Sequence, residues 1–470
     1  MNNLILRADA YKYGHKGFFP KNIQNNFSYV ESRGIDMDGP LPFGTEIVFF
    51  GLQMFVHKYL LTPITKEDVD KAEKLILSQT GIFNREDWDI IVNEFGGFLP
   101  ILITGLPEGT ITKPGIMLAN VVATDERFAW LASFVETAML RSIWYPTTVA
   151  TLSREIKKII KYYLDLSCDN PADELPFKLH DFGARGVSSA ESAAIGGLAH
   201  LVNFMGTDTI EAIPQGMKYY KSGVCGFSIP ASEHSTITAW GRENELAAYE
   251  NMLDEMISKN QKIFACVSDS YNIYDSVDNL WPQLKDKIVD NDMTIVIRPD
   301  SGDAIEVVRY ILNSISKSFG YTINHKGFKV LKNIRIIYGD SITSPFHISE
   351  ILGYVLAMGF STENIAFGMG GGLLQQVNRD TLMFAQKTSS IFVKGVWRDV
   401  YKDPIDAPFK KSKRGVMKNI LEDGEVKTVV EEKSYASIGI NAVYYSKQKD
   451  ENVVCRTDIF EKIRARAEVA

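Results

Sequence analysis

Four short stretches of this sequence carry side chains whose types and spacing suit chemistry on a phosphorylated ligand. Gly368-Met369-Gly370-Gly371-Gly372 follows an apolar run at 365–367 and precedes a helical stretch opening at Leu373. Small residues there let backbone N–H groups approach phosphate oxygens, and a helix N-terminus adds favourable charge. A plain strand-to-helix turn has the same pattern. Arg298-Pro299-Asp300-Ser301-Gly302 sets a guanidinium two residues from a carboxylate. Arginine can bind phosphate through paired hydrogen bonds, and aspartate accepts bonds from ribose hydroxyls; the alternative is a structural ion pair. Gly339-Asp340 offers a second carboxylate, as ligand or as helix cap. Glu233-His234-Ser235-Thr236 places an imidazole beside a carboxylate, a pair that serves structure as readily as catalysis. His234 lacks the second histidine of a zinc protease motif, and no Walker lysine motif is present, which disfavours a P-loop nucleotidase. Together the carboxylates and phosphate-suited loops point to a phosphorylated sugar, with Mg²⁺ as a candidate companion.

The elements that must position these groups follow a repeating order from residue 177 to about 382. A short β-rich apolar run leads to a polar loop and then to a helix with a start signal. Residues 177–179 lead into His180-Asp181-Phe182-Gly183-Ala184-Arg185-Gly186, after which Ser188 and Glu191 have capping-box spacing. Residues 263–267 lead into Ser268-Asp269-Ser270, and residues 294–297 into the Arg298 loop, followed by Ile305, Val308, Ile311, Leu312 and Ile315 on one helical face. Residues 334–338 lead into Gly339-Asp340, with Ser344-Pro345 as N-cap and first helical residue of the next helix.

Alternating strands and helices imply a parallel sheet whose ligand site lies at the C-terminal strand ends. The number of units favours a barrel over an open sheet. We therefore expect an α/β protein: an irregular α/β barrel over residues 146–387, and a flanking α+β domain built from residues 1–145 with 388–470. The boundary is placed at Pro146, between two amphipathic helices marked by Trp130 to Met139 and by Val149 to Tyr163.

Composition bounds what such a protein can do. A chain of 470 residues exceeds the usual size of one core, so two packed domains are expected. Apolar residues at 45% and charged residues at 23% are those of a globular protein. The formal charge of -7 gives no broad footprint for nucleic acid, so phosphate binding must be local. Cys168, Cys225, Cys266 and Cys455 stand too far apart for metal or redox motifs, which suits a reduced, cytoplasmic compartment. Arg7 and Asp9 interrupt the first apolar run, and no run is long enough to span a bilayer, so neither signal peptide nor membrane association is expected.

Several stretches, taken in order, resemble the nicotinamide phosphoribosyltransferases. They are Asp9-Ala10-Tyr11-Lys12, residues 180–186, Gly206-Thr207-Asp208-Thr209, residues 228–241 (SIPASEHSTITAWG), Val267-Ser268-Asp269-Ser270-Tyr271, residues 298–302, and residues 370–380 (GGGLLQQVNRD). Each motif is weak alone; the ordered set is specific. The resemblance implies a type II phosphoribosyltransferase fold, working as a homodimer with active sites at the subunit interface. It implies that nicotinamide, 5-phosphoribosyl 1-pyrophosphate (PRPP) and ATP bind, with Mg²⁺, and that ATP phosphorylates His234 to couple its hydrolysis to transfer.

By the same resemblance, Phe182 and the partner subunit's Tyr11 sandwich the pyridine ring, and Asp208 accepts from the nicotinamide amide. Ser228 and Ser268 belong to the substrate set, Arg298 and Arg185 to phosphate or pyrophosphate. Asp300, Gly339 and Asp340 belong to ribose, and Gly370 and Gly371 to the 5'-phosphate. Arg379 and Arg33 match arginines that reach the nucleotide-phosphate region from the other subunit, and Glu233 is placed to orient His234. The chain departs from the family pattern at Ala184, Asn272, Ser341 and Met369. The basic run Lys410-Lys411-Ser412-Lys413-Arg414 is either a solvated loop or a second contact to phosphates across the dimer. Two rival readings are a nicotinate phosphoribosyltransferase, which Asp208 argues against, and a non-catalytic binding protein on the same scaffold.

Overall fold

The short apolar runs of the central region become strands because β-branched residues suit a pleated surface buried on both faces. In a computed structural model describing residues 3–34, 44–339, 342–403, 405, 412–431 and 439–468, five of them, with the two-residue strand Gly206–Thr207 not expected from the sequence, form one parallel sheet. Its strands are β1 Leu179–Asp181, β2 Gly206–Thr207, β3 Ile263–Val267, β4 Thr294–Arg298, β5 Ile334–Tyr338 and β6 Ile365–Met369. Their order is β2-β1-β6-β5-β4-β3.

The gap between the edge strands β2 and β3 is spanned by the irregular segment 227–231. Phe227 bridges Gly206, and Ala231 bridges Ala265, both in parallel sense. Thr207 donates its N–H to the Phe227 carbonyl at 2.9 Å, and Ala265 donates to the Pro230 carbonyl at 2.9 Å. Proline has no N–H for a ladder, yet its carbonyl still accepts. A segment unable to form a regular strand thus completes an irregular α/β barrel, as the alternating pattern predicted. Its interior is lined by small and medium apolar side chains, Ala265, Val296 and Ile337, with Ile229, Ala366 and Phe182 packed against them. Such residues do not fill the barrel.

Helix starts follow their caps. Asp303 accepts from Glu306 N to open the helix Ala304–Ser318, and Ser344 accepts from Phe346 N at the start of Pro345–Ala357. The cap expected at Ser188 lies one residue later: Ser189 accepts from Ser192 N and opens the helix Ala190–His200.

A second, antiparallel sheet draws on both ends of the chain. Its strands run in the order Val396–Asp399, Phe384–Val393, Ile23–Ser32, Met117–Ala123, Ile101–Gly105, Ala442–Ser446, Val454–Cys455. This is the flanking layer expected from the N- and C-terminal segments.

The two helices expected on either side of Pro146 are instead joined through it. One helix, Glu136–Ser167, carries Pro146 in its interior. Proline cannot donate to the carbonyl four residues back, here Ser142. The chain packs against that turn at Gly51, whose φ is +113°; a Cβ there would stand 2.2 Å from the Ser142 oxygen and 2.6 Å from Pro146 Cγ. The helix also binds both parts of the molecule. Thr151 and Thr147 accept from Val48 N at 3.0 Å and Phe50 N at 3.1 Å, while Ala150 O accepts from the Asn203 amide at 2.9 Å. The boundary expected at residues 145/146 therefore falls inside a shared helix. Among the described residues no helix is long and apolar enough to cross a membrane.

Gly51→Ala is expected to destabilise the protein by roughly 2–4 kcal/mol, because the methyl group has no space and the backbone conformation disfavours a side chain. A urea midpoint unchanged from the unmodified protein would show that this close approach is not required.

Candidate active site

A cleft opens at the C-terminal ends of β1 to β4, where the closing segment and the helix after it join them. A cavity of about 630 Å³ is lined by Phe182, Arg185, Asp208, Glu233, His234, Arg298 and Asp300, all singled out by the sequence. A second cavity of about 490 Å³ shares Phe182, Asp208 and Arg298 and is also lined by Ser228, His180, Ala265, Val296, Ile337 and Ala366. The incompletely filled barrel thus opens at its C-terminal end onto the cleft.

Phe182 follows β1 and lays its ring over two glycines. A Cβ on Gly368 would come within 2.0 Å of the ring, so this glycine makes room for an aromatic wall; one on Gly339 would stand at 3.4 Å, an ordinary contact. Arg298 lies over the same ring, its guanidinium carbon 5.1 Å from the centroid. Asp208, after β2, accepts a bond from the Ser228 hydroxyl of the closing segment. An aromatic wall beside a carboxylate suits a flat heterocycle that carries hydrogen-bond donors. His180 Nε2 donates to the Phe177 carbonyl at 3.1 Å; burial holds its pKa below the usual range, although Asp208 pulls the other way.

His234 opens the short helix His234–Thr238. Glu233 does not orient it as expected: its carboxylate takes the neighbouring Ser235 hydroxyl. The imidazole instead has Ser270 Oγ at 3.2 Å from Nδ1, with Asp300 at 3.7 Å and Asp269 at 3.9 Å from Nε2. Asp269 lies in the Val267–Tyr271 motif, and nothing else in its sequence neighbourhood marks it. Its side chain is 2% exposed, and one oxygen accepts from Asp300 N at 2.8 Å and Ser301 Oγ at 2.6 Å. Arg298 in turn donates to the Asp300 carboxylate at 3.3 and 3.4 Å. An imidazole held among carboxylates and a hydroxyl can act as a nitrogen nucleophile or a proton acceptor.

Ser268 does not reach the cleft. It is fully buried, donating to Cys266 O at 3.0 Å and accepting from the Trp281 indole at 3.1 Å. Successive residues of an extended chain face opposite ways, and its neighbour Val267 takes the cleft side. Among the departures, Ala184 lines the cleft, Asn272 accepts from Tyr274 N at 3.1 Å as a local cap, and Met369 is fully buried. Asp340 and Ser341 lie outside the described residues, as do Lys410 and Lys411 of the basic run.

Gly370 precedes and Gly371 opens a four-residue helix, Gly371–Leu374, and a Cβ on Gly371 would meet open space. Its footing is buried. Tyr145 donates to Leu374 O at 2.9 Å, and Gly183 packs so closely on Leu374 that a Cβ would come within 2.7 Å. Asp181 lies beneath, accepting from Gly183 N at 2.7 Å through one oxygen. The other has no partner among the described residues, and burial raises the carboxyl pKa to about 6.

Tyr11, Arg33 and Arg379, like Gly339, Gly370 and Gly371, line neither cavity. Tyr11 is 62% exposed, Arg33 Nε donates to Met383 O at 3.4 Å, and Arg379 pairs with Asp380. Tyr11 and Arg33 belong to one charged neighbourhood on the flanking layer: Glu136 acts on both Tyr11 and Lys387, and Arg33 and Lys12 repel the proton on Lys387, whose pKa is lowered first by burial.

Comparison with known proteins gives a consistent picture. Residues 177–436 match the nicotinate phosphoribosyltransferase family, and residues 3–103 match the nicotinamide phosphoribosyltransferase N-terminal domain. A nicotinamide phosphoribosyltransferase of Xanthomonas campestris is 46% identical over 88% of this chain and 87% of its own. One from Acinetobacter baylyi is 30% identical over 88% of each. Among solved structures, a nicotinate-nucleotide pyrophosphorylase from Pyrococcus furiosus aligns with TM-score 0.60 at 14% identity, over 99% of this chain and 94% of its own. Human nicotinic acid phosphoribosyltransferase aligns with TM-score 0.56 at 14% identity, over 98% and 92%. These two share the fold.

The Asp181 carboxyl gives a signed expectation. Its folded pKa is raised from 3.8 to about 6, so the stability of its neutral form is complete below 3.8 and lost as pH rises through about 6. Asp181→Asn cannot ionise. Its stability relative to the unmodified protein is expected to grow between about pH 4 and 6 and then level off, by up to roughly 3 kcal/mol at about 1.4 kcal/mol per pH unit. A stability difference flat across that range in thermal melts would contradict the assignment.

Proposed function

The chain belongs to the nicotinate phosphoribosyltransferase family, and we propose that within it this enzyme transfers the 5-phosphoribosyl group of PRPP to nicotinamide in NAD salvage. The products are nicotinamide mononucleotide and pyrophosphate. The observation that carries the choice of base is Asp208, held by Ser228 beside the Phe182 ring. A carboxylate there attracts an amide N–H and repels the carboxylate of nicotinate. Two like charges ~4 Å apart at an effective dielectric of ~20 oppose each other by about 4 kcal/mol, enough to decide between the two bases.

The reaction asks little of the protein as a covalent catalyst. The pyridine nitrogen forms a bond to C1' of PRPP as the bond to pyrophosphate breaks, with oxocarbenium character between. Alignment of base and sugar is the main contribution, and effective-molarity gains of ~7–11 kcal/mol are available from it. Phe182 fixes the ring plane, Arg298 and Arg185 face the phosphates, Asp300 meets the ribose, and the backbone at Gly370 and Gly371 receives the 5'-phosphate. Mg²⁺ bound with PRPP supplies further neutralisation of the leaving group. Among the described residues no group of three His, Cys, Asp or Glu is placed to cage a metal, so substrate oxygens and water would be its main ligands.

His234 is read as the acceptor of the ATP γ-phosphoryl group. A ring nitrogen bonds to phosphorus, ADP leaves, and hydrolysis of the phosphohistidine after transfer makes the cycle favourable. The half-exposed ring among Ser270, Asp300 and Asp269 supports this role. The positions of Tyr11, Arg33 and Arg379 away from the cleft of their own chain support a homodimer in which each copy completes the other's site. Four free thiols, three of them buried, support a cytoplasmic setting.

Two variants test the proposal. Asp208→Asn is expected to shift the nicotinamide-to-nicotinate ratio of kcat/KM toward nicotinate by at least about a hundredfold, within the roughly 4 kcal/mol of repulsion removed; an unchanged ratio would remove Asp208 as the selector. His234→Ala is expected to abolish PRPP-stimulated ATP hydrolysis while retaining part of the ATP-free transfer. ATP turnover equal to that of the unmodified enzyme would refute the phosphohistidine.

A further inference from the structure

Asp269 is joined to the PRPP loop and to the histidine at once. Its buried carboxylate sits on the loop after β3, and one oxygen accepts from both Asp300 N at 2.8 Å and Ser301 Oγ at 2.6 Å. That pair ties the loop after β3 to the loop after β4. The other oxygen is buried without a hydrogen-bond partner among the described residues, 3.9 Å from His234 Nε2. One residue further on, Ser270 Oγ lies 3.2 Å from His234 Nδ1, so the Asp269-Ser270 pair brackets both nitrogens of the ring.

A carboxylate needed only to brace the loop would not have to leave an oxygen buried and unpaired, because desolvating a charged acceptor without a partner is costly. A neutral amide could accept both loop bonds. The acidic side chain and its free oxygen are accounted for by the imidazole they face.

We propose that Asp269 is the positioning residue that couples the two halves of the site, holding the Asp300-Ser301 turn for PRPP and fixing His234 relative to it. It touches neither base nor sugar. It rests on the reading of residues 298–302 as the PRPP loop. Asp269 acts as a rigid link: displacement of the sugar-phosphate loop is felt at the imidazole, and a change at the imidazole at the loop.

The test compares Asp269→Ala, Asp269→Asn and Ser301→Ala in the full-length protein, with PRPP, nicotinamide and Mg²⁺, first without ATP. Circular dichroism and thermal melts establish that each is folded. Asp269→Ala is expected to raise KM for PRPP tenfold or more, with kcat for ATP-free transfer changed less than threefold and KM for nicotinamide unchanged. Asp269→Asn, which keeps an acceptor for the turn, should restore KM for PRPP to within threefold, and Ser301→Ala should give a small rise. With ATP, Asp269→Asn should still lose at least fivefold in ATP hydrolysed per mononucleotide formed, since the carboxylate facing His234 is gone. A folded Asp269→Ala protein with unaltered KM for PRPP overturns the proposal, as does equal loss of kcat and of both KM values in Ala and Asn variants. If the unmodified enzyme makes no mononucleotide from PRPP, the functional reading itself fails, a result distinct from either.

Discussion

Four backbone hydrogen bonds that close the barrel govern the rest of the site. Thr207 N to Phe227 O at 2.9 Å and Phe227 N to Met205 O at 2.7 Å on one side, and Ala265 N to Pro230 O at 2.9 Å and Ser232 N to Ala265 O at 3.0 Å on the other, hold the segment 227–232 between the two edge strands. Ser228 is thereby carried to Asp208, and the chain emerges beside the loops after β3 and β4, where helix His234–Thr238 begins. The closure also leaves the barrel interior lined by Ala265, Val296, Ile337 and Ala366 rather than packed solid. Barrels usually fill this space with bulky branched side chains. Here the same geometry forms a cavity whose mouth holds an aromatic ring, a carboxylate and a guanidinium.

The chemistry accords with that architecture. A transfer in which the incoming nitrogen is already nucleophilic and the leaving group is pyrophosphate needs alignment and charge compensation more than a protein nucleophile. The cleft gathers charged, polar and aromatic side chains at the ends of rigid strands, with buried polar residues underneath. Asp181 and Tyr145 hold the footing of the glycine loop, and Asp269 holds the turn at Asp300. Gly368 serves Phe182 as well as any phosphate, because a side chain there would collide with the ring.

Much of this was legible in the sequence for local reasons. Apolar runs followed by polar loops and caps mark strand, ligand loop and helix start, and the loops of a parallel sheet must gather at one end. That reasoning brings the loops of Phe182, Arg185, Arg298 and Asp300 to one end of the sheet, whereas Asp208 and the role of His234 rested on the family resemblance; all six line one cleft. What escaped it depended on tertiary contacts. Segment 227–231, with Pro230 inside it, shows no strand pattern yet closes the sheet, and Pro146 suggested a boundary between two helices where Gly51 packs instead. Ser268 was drawn in by its motif, though alternation along the chain turns it to the core. Glu233 adjoins His234 in sequence but bonds Ser235, whereas Asp269, thirty-five residues away, faces the ring. Adjacency in sequence was a poor guide to which carboxylate meets the imidazole.

The central claim is that this cleft joins PRPP to nicotinamide and discriminates against the acid. The most direct measurement offers the purified protein PRPP and Mg²⁺ with equal concentrations of nicotinamide and nicotinic acid, and resolves the mononucleotides formed together with pyrophosphate. The account requires nicotinamide mononucleotide to dominate, released in equal amount with pyrophosphate. Predominance of nicotinate mononucleotide would contradict it.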